Sequence, residues 1–368
     1  MNKNQATDIA AYYWPAYHNG PRWRPFFRGN EGEWEIIRKA RPQFDGHEQP
    51  RVPLWGYEDE SDPTVMAKKI DAAVSHGVNV FIFDWYWYDN QPFLESALND
   101  GFLKARNVDQ IQFYLNWANH DAWSIWDIDQ SHEMRTVWSG AIDRKTFDEI
   151  SQRWINRYFK HPSYYKINGC PVLSIHLLVQ FINGLGSEDA ARQALDRFRG
   201  RVEAAGFPGV HLQTIVRTQG SFDGPLGPTP GTLKNLGFDS TTTYQFASLA
   251  PAGGNYAQWA GAAMDQYDRI ADALDCPFFP HVSIGWDTSP RYKAPRSDTV
   301  TGGSPEAFAR CLARAGEFLD QRRIEPRLIT INAWNEWSEG SYLEPDRKHG
   351  FAYLEAVRDL VFDNEERK

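Results

Sequence analysis

Residues 328–340 read Leu-Ile-Thr-Ile-Asn-Ala-Trp-Asn-Glu-Trp-Ser-Glu-Gly, and the change of character half-way along them decides the fold. Leu328 to Ile331 is a short apolar run of the kind that forms a strand buried on both faces. It opens without a spacer into an amide, indoles and two carboxylates. A dry strand that turns abruptly polar at one end delivers side chains to a cleft. Glu336 and Glu339, three residues apart and walled by Trp334 and Trp337, carry the group types that glycosidic bond chemistry needs. There one carboxyl donates a proton while its partner stays charged.

Seven further runs resemble the first half of that stretch. They are Ile9–Trp14, Asn79–Trp85, Ile111–Trp117, Pro171–His176, Val210–Val216, Asp239–Tyr244 and Phe278–Trp286, with Arg327–Trp334 as the eighth. Helical patterns alternate with them: Pro63–His76, Phe93–Ala105, Arg144–Phe159, Glu188–Ala205, Tyr256–Leu274, Pro305–Arg322 and Gly350–Phe362. Asp62 before Pro63 is a start signal, and Gly77 and Gly206 are stop signals a few residues before a strand. The fifth unit offers only Thr232–Leu236 as helix, and residues 20–56 form a long insertion after the first strand. Eight βα units joined by short αβ turns predict an α/β fold, a (β/α)8 TIM barrel with elongated βα loops. The chain, 368 residues with a core from about 9 to 362, reads as one catalytic domain.

In such a barrel the residues that meet substrate sit at the C-terminal strand ends. Those ends read Tyr12-Tyr13-Trp14, Asp84-Trp85-Tyr86, Asn116-Trp117-Ala118-Asn119, His176, Arg217, Tyr244, Trp286-Asp287 and Asn335-Glu336. Polar and aromatic residues gather there from nearly every strand, while the opposite ends are ordinary apolar or loop sequence. Tyr13, Trp14, Trp85, Trp117 and Tyr244 are the expected stacking and hydroxyl-binding residues. Asp84, Tyr86, Asn116, Asn119, His176, Trp286 and Asn335 complete the expected substrate-binding set. Arg291 and Tyr292, in a Pro-flanked loop, are a weaker candidate lid. If the chain turns helically after the last strand, residues three apart hold their Cβ atoms about 5–6 Å from each other. That suits the carboxyl separation of about 5–5.5 Å in retaining glycosidases better than the wider inverting gap. The competing reading of Glu336 and Glu339 is a solvated loop or a helix cap.

Composition narrows the partners. A net charge of −9 argues against nucleic acid, whose binding leans on clustered Lys and Arg. Cys170, Cys276 and Cys311 are odd in number and far apart, which fits a reducing compartment. No apolar run is long enough to cross a bilayer and no export signal opens the chain, so a cytoplasmic location is expected. Fifteen Trp, 16 Tyr and 22 Phe in a chain of negative mean hydropathy fit a ligand with flat C–H faces, such as a sugar ring. No His-x-His, strand-end Lys, GxSxG elbow or Gly-rich phosphate loop occurs, so neither metal nor organic cofactor is expected.

Asn335-Glu336-Trp337-Ser338-Glu339-Gly340, followed by Leu343-Glu344-Pro345, resembles the closing motif of glycoside hydrolase family 99 and its WbsX-like branch. Ala11-Tyr12-Tyr13, Phe83-Asp84-Trp85-Tyr86, Trp117-Ala118-Asn119 and residues 158–171 agree, so the similarity covers about 9 to 362. The resemblance implies a (β/α)8 barrel that cleaves α-glycosides with retention, as endo-α-mannosidases and mannanases do. It implies that Glu336 deprotonates the sugar's own 2-hydroxyl, which displaces the leaving group to give a 1,2-anhydro sugar. Glu339 then protonates the leaving oxygen and later activates water. In an α-manno ring the 2-hydroxyl is trans to the breaking bond, and α-L-rhamnosides share that relation. Two positions depart from the pattern. Asn116 stands where the endo-mannosidases present a carboxylate, and His120 replaces the Glu of the branch's Trp-Ala-Asn-Glu. Alternative implications are a glycosyltransferase of surface polysaccharide assembly and a non-catalytic glycan-binding barrel.

Overall fold

A computed structural model describes residues 7–27, 29–124, 134–217 and 228–366. Eight parallel strands form the central sheet: β1 (Asp8–Tyr13), β2 (Val80–Tyr88), β3 (Gln112–Trp117), β4 (Cys170–Ile175), β5 (His211–Ile215), β6 (Ser240–Thr242), β7 (His281–Ser283) and β8 (Leu328–Asn332). Neighbours follow the order β6-β5-β4-β3-β2-β1-β8-β7. A parallel bridge between Thr241 and Phe278, just before β7, brings the two edges together. The result is a nearly closed eight-stranded barrel with helices around it, as the alternation of runs predicts.

The helices are α1 (Trp34–Lys39), α2 (Pro63–Ser75), α3 (Arg144–Trp154), α4 (Leu178–Leu185), α5 (Glu188–Ala204), α6 (Pro230–Leu236), α7 (Tyr256–Met264), α8 (Tyr267–Ala273), α9 (Pro305–Arg322) and α10 (Ala352–Glu366). Asp62 caps α2 by accepting from the Thr64 amide, with Pro63 at its first position. Two expected helices are corrected. Residues 93–105 form no continuous α-helix: Gln91–Phe93 folds back antiparallel on β2, and the rest is a π turn and a 3₁₀ turn. The aromatic end of β2 continues past the barrel rim as that hairpin, which uses up the first turn of the pattern. Residues 256–274 break into α7 and α8 at Asp265 and Gln266.

Alternation sorts every strand. On β2, Phe81, Phe83 and Trp85 face the helices, whereas Asp84 and Tyr86 lie on the opposite, axial face. The axis is more polar than an aliphatic barrel core, and its groups pair with one another. Tyr114 donates to Gln213 (3.0 Å), Thr242 meets Thr330 (2.8 Å), and His281 meets Thr330 (2.9 Å). The outer layer is one apolar cluster running from Ile9 to Val357. A second cluster, with Trp14, Tyr17, Trp23, Trp34, Tyr86 and Trp337, packs the long insertion over the C-terminal mouth.

Candidate active site at the barrel mouth

After β8 the chain makes a small hairpin: Asn335–Glu336 pairs antiparallel with Ser341–Tyr342, and Trp337–Glu339 is a 3₁₀ turn between them. Gly340 closes it at φ +64°. A Cβ there would sit 2.5 Å from Nη1 of Arg51 and 2.9 Å from Cβ of Asp287, so glycine is required sterically as well as conformationally. Neighbouring loops clamp this turn. The Asp287 amide donates to the Glu339 carbonyl (2.6 Å), and Arg51 donates to the Gly340 carbonyl (2.8 Å). Asp287 in turn accepts from Gln49 (2.8 Å) and pairs with His47 (3.0 Å), both from the insertion.

Asn335 ties the end of β8 to the end of β1. Its Oδ1 accepts from the Trp14 amide (2.8 Å), and its Nδ2 donates to the Trp14 carbonyl (2.8 Å) and to Glu60 (2.9 Å). Below lies a fully buried triad in which the Lys69 ammonium bridges Glu60 (2.5 Å) and Glu344 (2.6 Å). Glu344 also accepts from the Trp337 indole (2.8 Å). Trp334 and Trp337 are both fully buried, so they wedge the turn rather than line an opening.

The two glutamates converge on one cation. Arg291 donates through Nη1 to Glu339 (2.7 Å) and through Nη2 to Glu336 (3.1 Å) and Ser338 (2.7 Å). A third carboxylate, Glu33 from the insertion, lies 3.7 Å from Nη2 and accepts from Ser338 (2.8 Å) and from the Trp14 indole. Glu336 keeps 4% of its side chain exposed and Glu339 12%, so Glu339 is the member nearer solvent. Burial, then the charge of Glu339, push the Glu336 carboxyl well above its ordinary range, with Arg291 opposing. Both carboxyls bond the same guanidinium, so a change of charge on either is felt by that cation.

From Glu336 a polar ring runs round the mouth. The Tyr244 hydroxyl reaches Glu336 (3.2 Å) and donates to Asp84 (2.7 Å). Asn116 donates to Asp84 (2.8 Å) and lies 3.2 Å from His176 Nδ1, whose Nε2 meets Arg217 at 2.5 Å. Burial raises the Asp84 carboxyl to about 7, against the bonds from Asn116 and Tyr244. The His176 imidazole is driven well below its ordinary value by burial and then by Arg217. A cavity of 520 Å³ opens beyond the clamped turn, among Arg51, Asp287, Gly340, Tyr342 and Asp346, and neither glutamate lines it.

Comparison with known proteins places this arrangement. The family model described as Glycosyltransferase WbsX matches residues 9–357. The chain belongs to the WbsX family. Two strains of Xanthomonas campestris pv. campestris carry relatives named WxcX, each 28% identical over 378 residues, covering 96% of this chain and 49% of theirs. The chain therefore spans about half the length of the curated relatives it matches. Among solved structures, a GH99 endo-α-mannosidase from Bacteroides thetaiotaomicron in complex with bis-tris-propane superposes with TM-score 0.65 at 14% identity, covering 98% of this chain and 97% of the other. A glycoside hydrolase-like protein gives 0.64 at 13% identity, covering 98% and 95%. These likenesses establish a shared GH99-like barrel.

Not every expected site residue of this WbsX-family barrel reaches the mouth. Asp84, Asn116, His176, Tyr244, Glu336 and Glu339 are brought together as described. Tyr86 lies on the same face, edge-on to Trp14 at 5.6 Å, and Trp14 is held by Glu33. Tyr13, Trp85 and Trp117 are corrections. Each neighbours an axial residue on its strand, so alternation turns it outward. Tyr13 stacks on Phe83 and donates to Met66, Trp85 donates to Glu95 and packs on Trp154, and Trp117 packs on Phe147 and Phe181. Asn119 is a backbone clasp, donating to the Leu177 carbonyl and accepting its amide, and Trp286 packs half-buried against the apolar core. Arg291 is the cation bonded to both glutamates rather than a lid residue. Glu33 carries no sequence signal, since it sits in an insertion without period. Among the described residues, no group of three or more His, Cys, Asp or Glu is disposed to hold a metal, and no helix is long and apolar enough to cross a membrane.

Proposed function

We propose that the protein is a retaining α-glycoside hydrolase acting on manno-configured units, α-mannosides or α-L-rhamnosides, of an oligo- or polysaccharide. One observation carries the reading: two carboxyls bridged by the Arg291 guanidinium at the barrel mouth, one deep and one nearer solvent. Glu336, beside Tyr244, takes the proton of the 2-hydroxyl, and that oxygen attacks C1 from the face opposite the leaving group. The C1–O bond breaks as Glu339 passes its proton to the departing oxygen. Glu339, now a carboxylate and the more open of the two, takes a proton from water, whose oxygen opens the 1,2-anhydro ring at C1. Glu336 returns its proton to O2. Two inversions at C1 leave the configuration retained, and both carboxyls end as they began.

A second reading exchanges the roles. It is favoured by the burial of Glu336, which pushes its carboxyl well above the ordinary range, as a general acid requires. Both readings are tested with a panel of α-manno- and α-rhamno-configured oligosaccharides and their 2-deoxy analogues, with product anomers followed by NMR. The proposal expects the α anomer first and no turnover of any 2-deoxy analogue. Ready cleavage of a 2-deoxy substrate rules out participation of the 2-hydroxyl. Transfer from a nucleotide sugar, with no hydrolysis of any glycoside, replaces the hydrolase reading by a transferase.

A further inference from the structure

Arg291 and Arg217 both reach the polar ring at the mouth, and their surroundings are opposite. Arg291 has three carboxylates, Glu33, Glu336 and Glu339, within 3.7 Å. Arg217, at the end of β5, has none within ion-pair distance among the described residues. Its Nη1 meets Ser248 Oγ at 3.3 Å, its Nη2 meets His176 Nε2 at 2.5 Å, and its Nε is buried with no partner. Among the described residues, only two of its five N–H donors are engaged, one weakly. The rings around it supply no negative charge. His176 stands edge-on to Tyr244 at 4.9 Å and to His120 at 5.7 Å. Burial and the charge of Arg217 itself both hold the two imidazoles in their neutral form.

A half-buried guanidinium without a counter-ion is costly, because lost hydration is not replaced by an ion pair. Free N–H donors in a fork match a carboxylate bidentately. The side chain sits across Tyr244 from the glutamate pair, since Tyr244 bonds Glu336 on one side and packs on His176 on the other. An anion held there lies within one or two sugar units of the bond that the glutamates flank. We propose that Arg217 pairs with a carboxylate of the substrate, so that the glycan is acidic and carries a uronic acid in, or next to, the unit that is cleaved. This rests on the hydrolase reading for the position of the bond, but the binding it predicts needs no turnover.

The test is therefore binding. Methyl α-glycosides of mannose, glucose and galactose are titrated by calorimetry beside the matching methyl α-glycosiduronates. At least one uronate is expected to bind about tenfold or more tightly than its neutral partner, a difference that about 1.4 kcal/mol of ion pairing provides. Glu336→Gln keeps that ratio even if it abolishes turnover, which separates this inference from the catalytic one. Arg217→Met brings the ratio close to one, and Arg217→Lys keeps part of it. An independent readout is the melting temperature of the free protein. Because no carboxylate among the described residues lies within ion-pair distance of it and Glu339 acts on it only from further off, Arg217→Met leaves the melting temperature unchanged or raises it. The inference is overturned by the absence of uronate preference in all three pairs, whether or not the sugars bind. It is also overturned by a preference that survives Arg217→Met, or by a fall of several degrees in melting temperature. Tighter binding of GDP or UDP than of every uronate, lost in Arg217→Met, overturns it too and assigns the cation to a diphosphate.

Discussion

Replacing Arg291 by methionine removes the one cation that Glu33, Glu336 and Glu339 share, without shortening the side chain much. All three carboxyls are buried or nearly so, and burial already raises Glu33 and Glu336 despite the guanidinium. Breaking a buried pair by deleting one partner costs about 3–5 kcal/mol. An independent estimate gives a similar figure. Without Arg291 a carboxyl must stay protonated to remain buried. Protonating an ordinary glutamate, pKa about 4.3, at about pH 7.5 costs roughly three units of 1.36 kcal/mol, or about 4 kcal/mol. The sign follows from linkage. A carboxyl whose folded pKa lies above its unfolded value contributes stability below the unfolded value and loses it as pH rises. Arg291→Met is thus expected to lose about 3–5 kcal/mol near pH 7.5 and about 1 kcal/mol or less near pH 4.5, by urea denaturation at both values. Equal losses at the two pH values, or less than about 1 kcal/mol near pH 7.5, would refute the claim that this guanidinium neutralises the carboxyl cluster.

Other predictions concern the turn and the ring. Gly340→Ala places a Cβ against Arg51 and Asp287 and asks alanine for φ +64°, which alone costs about 1–2 kcal/mol. Because displacement of Glu339 by about 1 Å costs roughly 100-fold in rate, kcat on the preferred glycoside falls far more than the melting temperature does. Asp84, pushed up to about 7 by burial, contributes stability at low pH that disappears as pH climbs from about 4 through 7. Asp84→Asn flattens that dependence, so its melting temperature gains on the wild type between about pH 4 and pH 8. A difference that stays constant across the range counts against a buried, protonatable Asp84.

The barrel was legible because eight short apolar runs alternate with capped helices, and because polarity changes abruptly at one end of each run. Asp84, Asn116, His176, Tyr244 and Glu336 follow from that change. The same reasoning put Tyr13, Trp85 and Trp117 in the mouth, although each stands next to an axial residue and must point the other way. Strict alternation would have removed all three. Glu33 and the clamp of His47, Gln49 and Arg51 were hidden because an insertion without period meets the turn only through tertiary packing. Arg291 was visible as a loop residue, but its role depends on three carboxylates from distant parts of the chain. Residues 93–105 show the converse limit: an amphipathic pattern was overridden when β2 continued past the rim and folded back.

Glu339→Gln, assayed on two glycosides of one sugar, tests the carboxyl pair most directly. One glycoside carries a sugar leaving group and the other a dinitrophenyl group, which departs without a proton. The account predicts a loss in kcat/KM of about 100- to 10,000-fold on the first and only a small loss on the second. Equal losses on both, or rescue by the dinitrophenyl group in Glu336→Gln instead, would contradict it.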